Sequence, residues 1–144
     1  MNKEVTKQLG RWVAKKKSVA ACREEVAKVL QALRRVQEAD FEGFCLCVTC
    51  GKKARWNDGI QGGHFIKRKH ASTAIIGLNI WPQCIRCNHF LDGNESEYRK
   101  FLGERLVNRL EALKRRPVQF TRLQLAIRIV RFRTLLKLEK ERIE

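Results

Sequence analysis

Residues 83–94 read QCIRCNHFLDGN. Cys84 and Cys87 stand three apart and lead at once into Asn88, His89 and Asp92, three more side chains able to bind a metal. A second pair, Cys47 and Cys50 in CVTCGK, lies upstream with 33 residues between the pairs. Each C-x-x-C turn presents two sulfurs to one ion, the ligand pattern of a tetrahedral thiolate zinc site. Gly51 eases the backbone of the first turn. Four thiolates leave no open position, so the expected zinc is structural and cannot be a catalyst. Cys45 competes with Cys47 in CLCVTC, but a C-x-C pairing makes a poorer turn, and Cys45 is expected to be a spare buried residue.

Between the pairs lie IQGGHFIKRKH and ASTAIIGLNIWP, each with apolar residues suited to a short strand. Gly62 and Gly63 permit close backbone approach just before His64. A lone strand histidine is ordinarily a bland one; inside a stapled loop and after two glycines, His64 reads as functional. His70 in KRKH reads as solvated or phosphate-facing, and Asp58 in WNDG as a turn residue. From Asp40 to Asn94 no helical period is visible, which predicts a knuckle, a hairpin and a short helix.

Helical periods appear on both sides of this segment. Val5, Leu9 and Trp12 form a first stripe, weakened by Gly10 and the KKKS run. Val19, Cys22, Val26, Val29, Leu33 and Val36 then follow a heptad seam, suited to packing on the chain's own core or on a second subunit. Cys22 in that seam is expected to be a small core residue. ESEYRKFLGERLVNRLEALKRR reads as helix, with Asn94 as its N-cap and Pro117 as its stop. The last helix, Phe120 to Ile143, carries Leu125, Ile129, Phe132 and Leu136 on one stripe and Leu123, Ile127 and Val130 beside it. The fold class expected is α+β and mostly helical. One domain, 1–144, is divided into a helical flank (1–39), a zinc-stapled core (40–94) and a C-terminal helical region (95–144).

The 144 residues carry 31 Lys and Arg against 15 Asp and Glu, a formal charge of +16 with a pI near 10.2. That balance suits a polyanion, and nucleic acid is the expected partner. The charge is uneven: ten basic and three acidic side chains in 1–37, nine and seven in 38–100, twelve and five in 101–144. Chemistry in a nearly neutral centre, with backbone grip at both ends, follows. No apolar run approaches the roughly 18 residues of a membrane span, so no membrane partner is expected. The N-terminal stretch lacks the pattern of a signal peptide, and a reducing cytoplasm is expected, where cysteines bind metals before they form disulfides.

Two cysteine pairs enclosing Gly-His, then an Asn, then C-x-x-C-N resemble the HNH, or ββα-metal, endonuclease motif. More narrowly, GGHF, LNIWPQCIRCN, the DGN at 92–94 and Tyr98-Arg99 resemble the phage Rap/NinG family of recombination nucleases, over about residues 45–113. The resemblance implies a metal-dependent endonuclease that acts on branched DNA, such as Holliday junctions and D-loops, during phage recombination in the host cytoplasm. It assigns His64 as general base at the end of the first strand, Asn79 as the brace of the hairpin, and Asn88 as ligand of a catalytic Mg²⁺ or Mn²⁺. The chemistry is coherent: a neutral imidazole takes the proton from water, and a hard cation polarises the phosphate and stabilises the leaving oxygen.

The motif departs from many HNH proteins at one point, where Gly63 stands in place of an acidic ligand. Asp92, four residues after Asn88, would share its face on a helix and is the expected substitute, the alternative being a turn residue that ends the helix before Gly93. His89 lies about 100° around and is a weaker candidate. Lys67, Arg68, Lys69 and Arg86 are the basic side chains expected to face DNA. One such site per chain and spare apolar helix surface suggest a homodimer on a two-fold junction. A non-catalytic zinc-knuckle nucleic-acid-binding protein is the alternative; it needs the cysteines and the basic flanks but not Gly-Gly-His.

Overall fold

Ser18 sits in extended backbone and its hydroxyl accepts the amide N–H of Ala21 at 3.1 Å, a side-chain N-cap that starts helix α2 (Val19–Gln37). The computed structural model describes residues 2–15 and 18–143, so Lys16 and Lys17 of the KKKS run lie outside the described residues. The buried residues of α2 are Cys22, Val26, Ala27, Leu30, Leu33 and Val36. The expected heptad seam therefore holds at Cys22, Val26, Leu33 and Val36, with Ala27 and Leu30 buried in addition. Val19 is exposed and Val29 only partly buried. A straight helix drifts about 20° per heptad from a 3.5-residue repeat, and its buried stripe follows the straight period.

That stripe is covered from within the chain. Helix α6 (Arg122–Ile143) packs along α2 and buries Leu125, Ala126 and Ile129; α1 (Lys3–Lys15) adds Leu9 and Trp12. Gly10 does not interrupt α1. Phe132 and Leu136 border the same core, whereas Leu123 and Ile127 on the second stripe of α6 face solvent. The Arg142 guanidinium, near the end of α6, donates to the carbonyls of Val36 and Ala39 and so satisfies the C-terminal end of α2.

Two small antiparallel sheets fill the centre. Strands β1 (Phe44–Leu46) and β2 (Lys53–Arg55) flank the CVTC turn, and β3 (Ile60–His64) pairs with β4 (Ile80–Cys84) in a register that sets His64 opposite Ile80 and Ile60 opposite Cys84. The stretch ASTAIIGLNIWP is not one strand: it opens with a single-turn helix α3 (Ala71–Ala74) and a 3-10 turn (Gly77–Asn79), and the strand begins only at Ile80. After β4 comes one wide, π-type helical turn, Arg86–Phe90. The expected long helix is two, α4 (Glu95–Leu102) and α5 (Glu104–Lys114), because Gly103 takes φ +81° between them. Asn94 occupies the N-cap place of α4 but does not cap it; it is left-handed, and its amide N–H points to Cys87 Sγ at 3.6 Å. The chain is thus mainly helical α+β, and no helix among the described residues is long and apolar enough to cross a membrane. The largest apolar cluster joins α1, α2 and α6 to Ala74, Ile75 and Ile80 of the central segment.

Candidate metal centre and adjoining polar cleft

The turn after β1 brings Cys47 and Cys50 to the end of β4, where Cys84 and Cys87 sit. The four Sγ atoms all lie within 4.8 Å of one another, and Cys50 to Cys84 is 3.7 Å. A tetrahedron of zinc–sulfur bonds of about 2.3 Å has edges of about 3.8 Å, so the spacing fits a structural ion such as zinc. The first turn needs a left-handed residue, and Gly51 supplies it with φ +78°. Burial works against the Cys47 thiolate, yet the Thr49 hydroxyl and nearby backbone N–H groups outweigh it and hold Cys47 down at about 6. At Cys50 the Lys52 backbone N–H favours the thiolate, but burial and the three neighbouring sulfurs push it up to about 12; burial raises Cys84 as well. Such crowded thiols become four thiolates only with a cation among them. Cys45 stays outside: buried, 3.1 Å from the Arg35 carbonyl, and raised by burial to about 11.

His64 closes β3 and is only 8% exposed. Its Nε2 is 2.8 Å from the Ala74 carbonyl, which can only accept, so Nε2 carries the proton and Nδ1 is the acceptor. Nδ1 lies 3.5 Å from the Gln31 amide nitrogen of α2. Burial pushes the ring down to about 4, with the Arg68 charge adding to it and the Ala74 carbonyl opposing, so the imidazole is neutral at pH 7. His64 and Gln31 line a polar cleft of about 240 Å³ together with Gly62, Lys67, Arg68, Asn88 and His89.

The supports of this histidine are internal. Asn79 is fully buried; its Oδ1 accepts from Ile66 N at 2.8 Å and its Nδ2 donates to the Ile66 and Thr73 carbonyls at 3.0 Å each. It ties the segment after His64 to the segment that holds Ala74, the bracing position expected of it. The Tyr98 hydroxyl donates to the Gly63 carbonyl at 2.7 Å. A Cβ at Gly63 would meet Gln83 Oε1 at 2.0 Å, and one at Gly62 would meet Gln31 Cβ at 2.7 Å. No acidic side chain fits before His64 while Gln83 fills that space.

The family model for the bacteriophage lambda NinG protein matches residues 2–141. The chain belongs to the NinG family. No curated protein and no solved structure matches it. The NinG match takes in both helical flanks, beyond the 45–113 stretch that carries the motif resemblance.

Of the other residues singled out in this NinG chain, Asn88 is half-buried on the π-type turn, its amide donating to Gln61 Oε1 at 2.8 Å. Asp92 does not share a helical face with it. The turn ends at Phe90, and Asp92 sits beyond it in left-handed backbone with φ +49°. Its side chain is 94% exposed and paired with Lys67 Nζ at 2.9 Å, which holds its carboxyl below the usual carboxylate range. His89, ranked lower on sequence, is the one that lines the cleft beside Asn88. Lys67 and Arg68 also line it, Arg68 with an ion pair to Glu24 at 2.8 Å, whereas Lys69 and Arg86 are exposed outside it. Gln31, Gln61, Gln83 and Tyr98 were not singled out on sequence grounds. Only Gln83 and Tyr98 carried a sequence signal, their place in the family motif.

The cleft lining holds no carboxylate, and its donors are imidazole, amide and cation. Those residues alone do not make a site for a hard cation, which prefers anionic oxygen.

Proposed function

We propose that this NinG protein is an HNH-type, metal-dependent endonuclease that cleaves phosphodiester bonds in branched recombination intermediates, Holliday junctions and D-loops, during phage recombination. The observation that carries the proposal is a neutral, buried His64 whose Nε2 proton is engaged by Ala74, leaving Nδ1 as acceptor, on a cleft lined by Lys67 and Arg68. In this reading a scissile phosphate enters the cleft against the two cations, and Nδ1 accepts a proton from the attacking water. Asn79 positions the loops that hold His64, and the four cysteines fix the turn bearing Asn88. Mg²⁺ or Mn²⁺, held mainly by substrate phosphate and water beside Asn88, would supply stabilisation of the leaving oxygen. Asp92 would join it only by giving up Lys67.

The second reading, a zinc-knuckle binder without catalysis, is favoured by the missing carboxylate. One experiment separates the two. Zinc-loaded protein, freed of other divalent ions rather than treated with a chelator that would also strip zinc, is given a labelled four-way junction and a linear duplex with added Mg²⁺ or Mn²⁺. Metal-dependent cuts in the junction, lost about 10²–10⁴-fold in His64→Ala with zinc content and binding retained, support the nuclease. Binding without cleavage under every added ion leaves the binder reading.

A homodimer would have to form without the α2 seam, which is covered by α6. The outer face of α6, with Leu123, Ile127 and Leu138 exposed, is a surface of the flanking helices that could serve it.

A further inference from the structure

The turn that carries Asn88 and His89 also carries a large apolar side chain with nothing on it. Phe90 is 75% exposed, and its nearest aromatic neighbour is the His89 ring, edge-on at 5.1 Å. Leu91 and Ile85, at the two ends of the turn, are each 44% exposed. Arg86 shares the turn with Phe90, and Lys67 and Arg68 line the cleft together with the adjacent His89; all three are cationic. The turn is firmly held: Cys87 belongs to the sulfur cluster, and its carbonyl accepts from Gly93 N at 2.8 Å. The ring is therefore displayed on a braced support, one residue from a cleft-lining imidazole.

A flat hydrophobic ring among cations matches one kind of ligand, a nucleobase whose own phosphate is taken up by those cations. In a continuous duplex the bases are stacked and cannot reach such a ring; at a branch point they are open. We propose that Phe90 is a stacking platform for an unstacked base at a DNA branch, and that it makes the protein prefer branched over linear DNA. This rests on the reading that the cleft takes a DNA phosphate, but not on cleavage.

The test is binding of full-length zinc-loaded protein, without added Mg²⁺ or Mn²⁺, to a four-way junction and to a linear duplex of the same sequence. Phe90→Ala is expected to weaken junction binding about tenfold or more and to leave duplex binding within twofold. Phe90→Trp should retain junction binding, and Phe90→Leu should not, since stacking needs a π face and not merely an apolar one. Equal losses on both DNAs, no loss on the junction, a leucine as good as tryptophan, or a wild-type protein with no junction preference would each overturn the platform. Adding Mg²⁺ or Mn²⁺ to the same complexes reads cleavage separately. A Phe90 effect on binding with no cleavage removes the nuclease and leaves the platform; cleavage with no Phe90 effect does the reverse.

Discussion

The helical half and the stapled centre of this molecule are held together by different physics. In the first, α1, α2 and α6 share a continuous apolar cluster in which Cys22, Val26, Leu125, Ala126 and Ile129 are fully or almost fully buried. In the second, the central segment joins that cluster only through Ala74, Ile75 and Ile80, and otherwise rests on smaller ones: Phe65 and Ile66 against Tyr98, Val107 and Leu110, a group around Cys45 and Ile60, and the cysteines themselves. To these the centre adds a cysteine cluster able to hold an ion and a set of buried hydrogen bonds from Asn79, Gln83 and Tyr98. The contrast teaches where each half is vulnerable. Apolar burial is lost in increments, whereas a metal site or a satisfied amide is lost whole.

The most severe way to test that contrast is Cys84→Ser. With one thiolate gone, zinc should be lost, protease cuts should appear between residues 44 and 94, and any cleavage activity should vanish. The outer helices should keep their circular-dichroism signal. If they melt too, the halves are one cooperative unit; if a zinc-free variant stays folded and active, the knuckle is refuted.

Ile129→Ala attacks the other half. A cavity in the α2–α6 core should cost about 2–5 kcal/mol in denaturant unfolding while zinc stoichiometry stays at the wild-type value. Loss of zinc from this variant would erase the distinction.

A smaller effect comes from acid. His64 titrates near 4 when folded against an ordinary 6.5, so between those values the unfolded chain takes up a proton that the folded ring refuses. Its contribution is complete above pH 6.5 and falls as the pH drops toward 4, by about 2 kcal/mol at pH 5. Thiolates also protonate in acid, so the quantity to read is the difference in slope between wild type and His64→Gln. Identical slopes would show that the ring is not buried as described.

The mildest change is Leu123→Ala on the outer face of α6. Monomer stability should move by less than about 0.5 kcal/mol. If α6 pairs two copies, light scattering should show a mass above 16.8 kDa for wild type and a reduced dimer fraction for the variant. A wild-type mass of 16.8 kDa for the free protein, with a complex mass of one chain per junction, would end the dimer proposal.

The two halves also differed in how far they could be read from sequence. The four cysteines, the spare Cys45, His64 at a strand end and Asn79 as a brace were all legible, because C-x-x-C spacing and the family motif specify local geometry. Helix α2 was legible in outline but not in register, since Val29 and Leu30 are equally apolar and only the position of α6 decides between them. Asp92 was misplaced because an i, i+4 argument presumes that the helix continues, and this one stops at Phe90. Gln31, 33 residues before His64, could not have been found: a polar residue on a helix says nothing about which strand will pass beside it.

The contact between Gly63 and Gln83 closes a route through sequence space. An aspartate before His64, with Gln83 in place, would drive a Cβ into a buried amide oxygen. Shortening Gln83 first would abandon its hydrogen bonds to Thr49 and the Gly93 carbonyl. Neither step is neutral alone, so the two positions are expected to change together or not at all among the protein's descendants. A lineage that starts from this pairing and needs an anionic ligand must recruit it from elsewhere, and the loop after Phe90, already carrying Asp92, is free to vary without that obstacle.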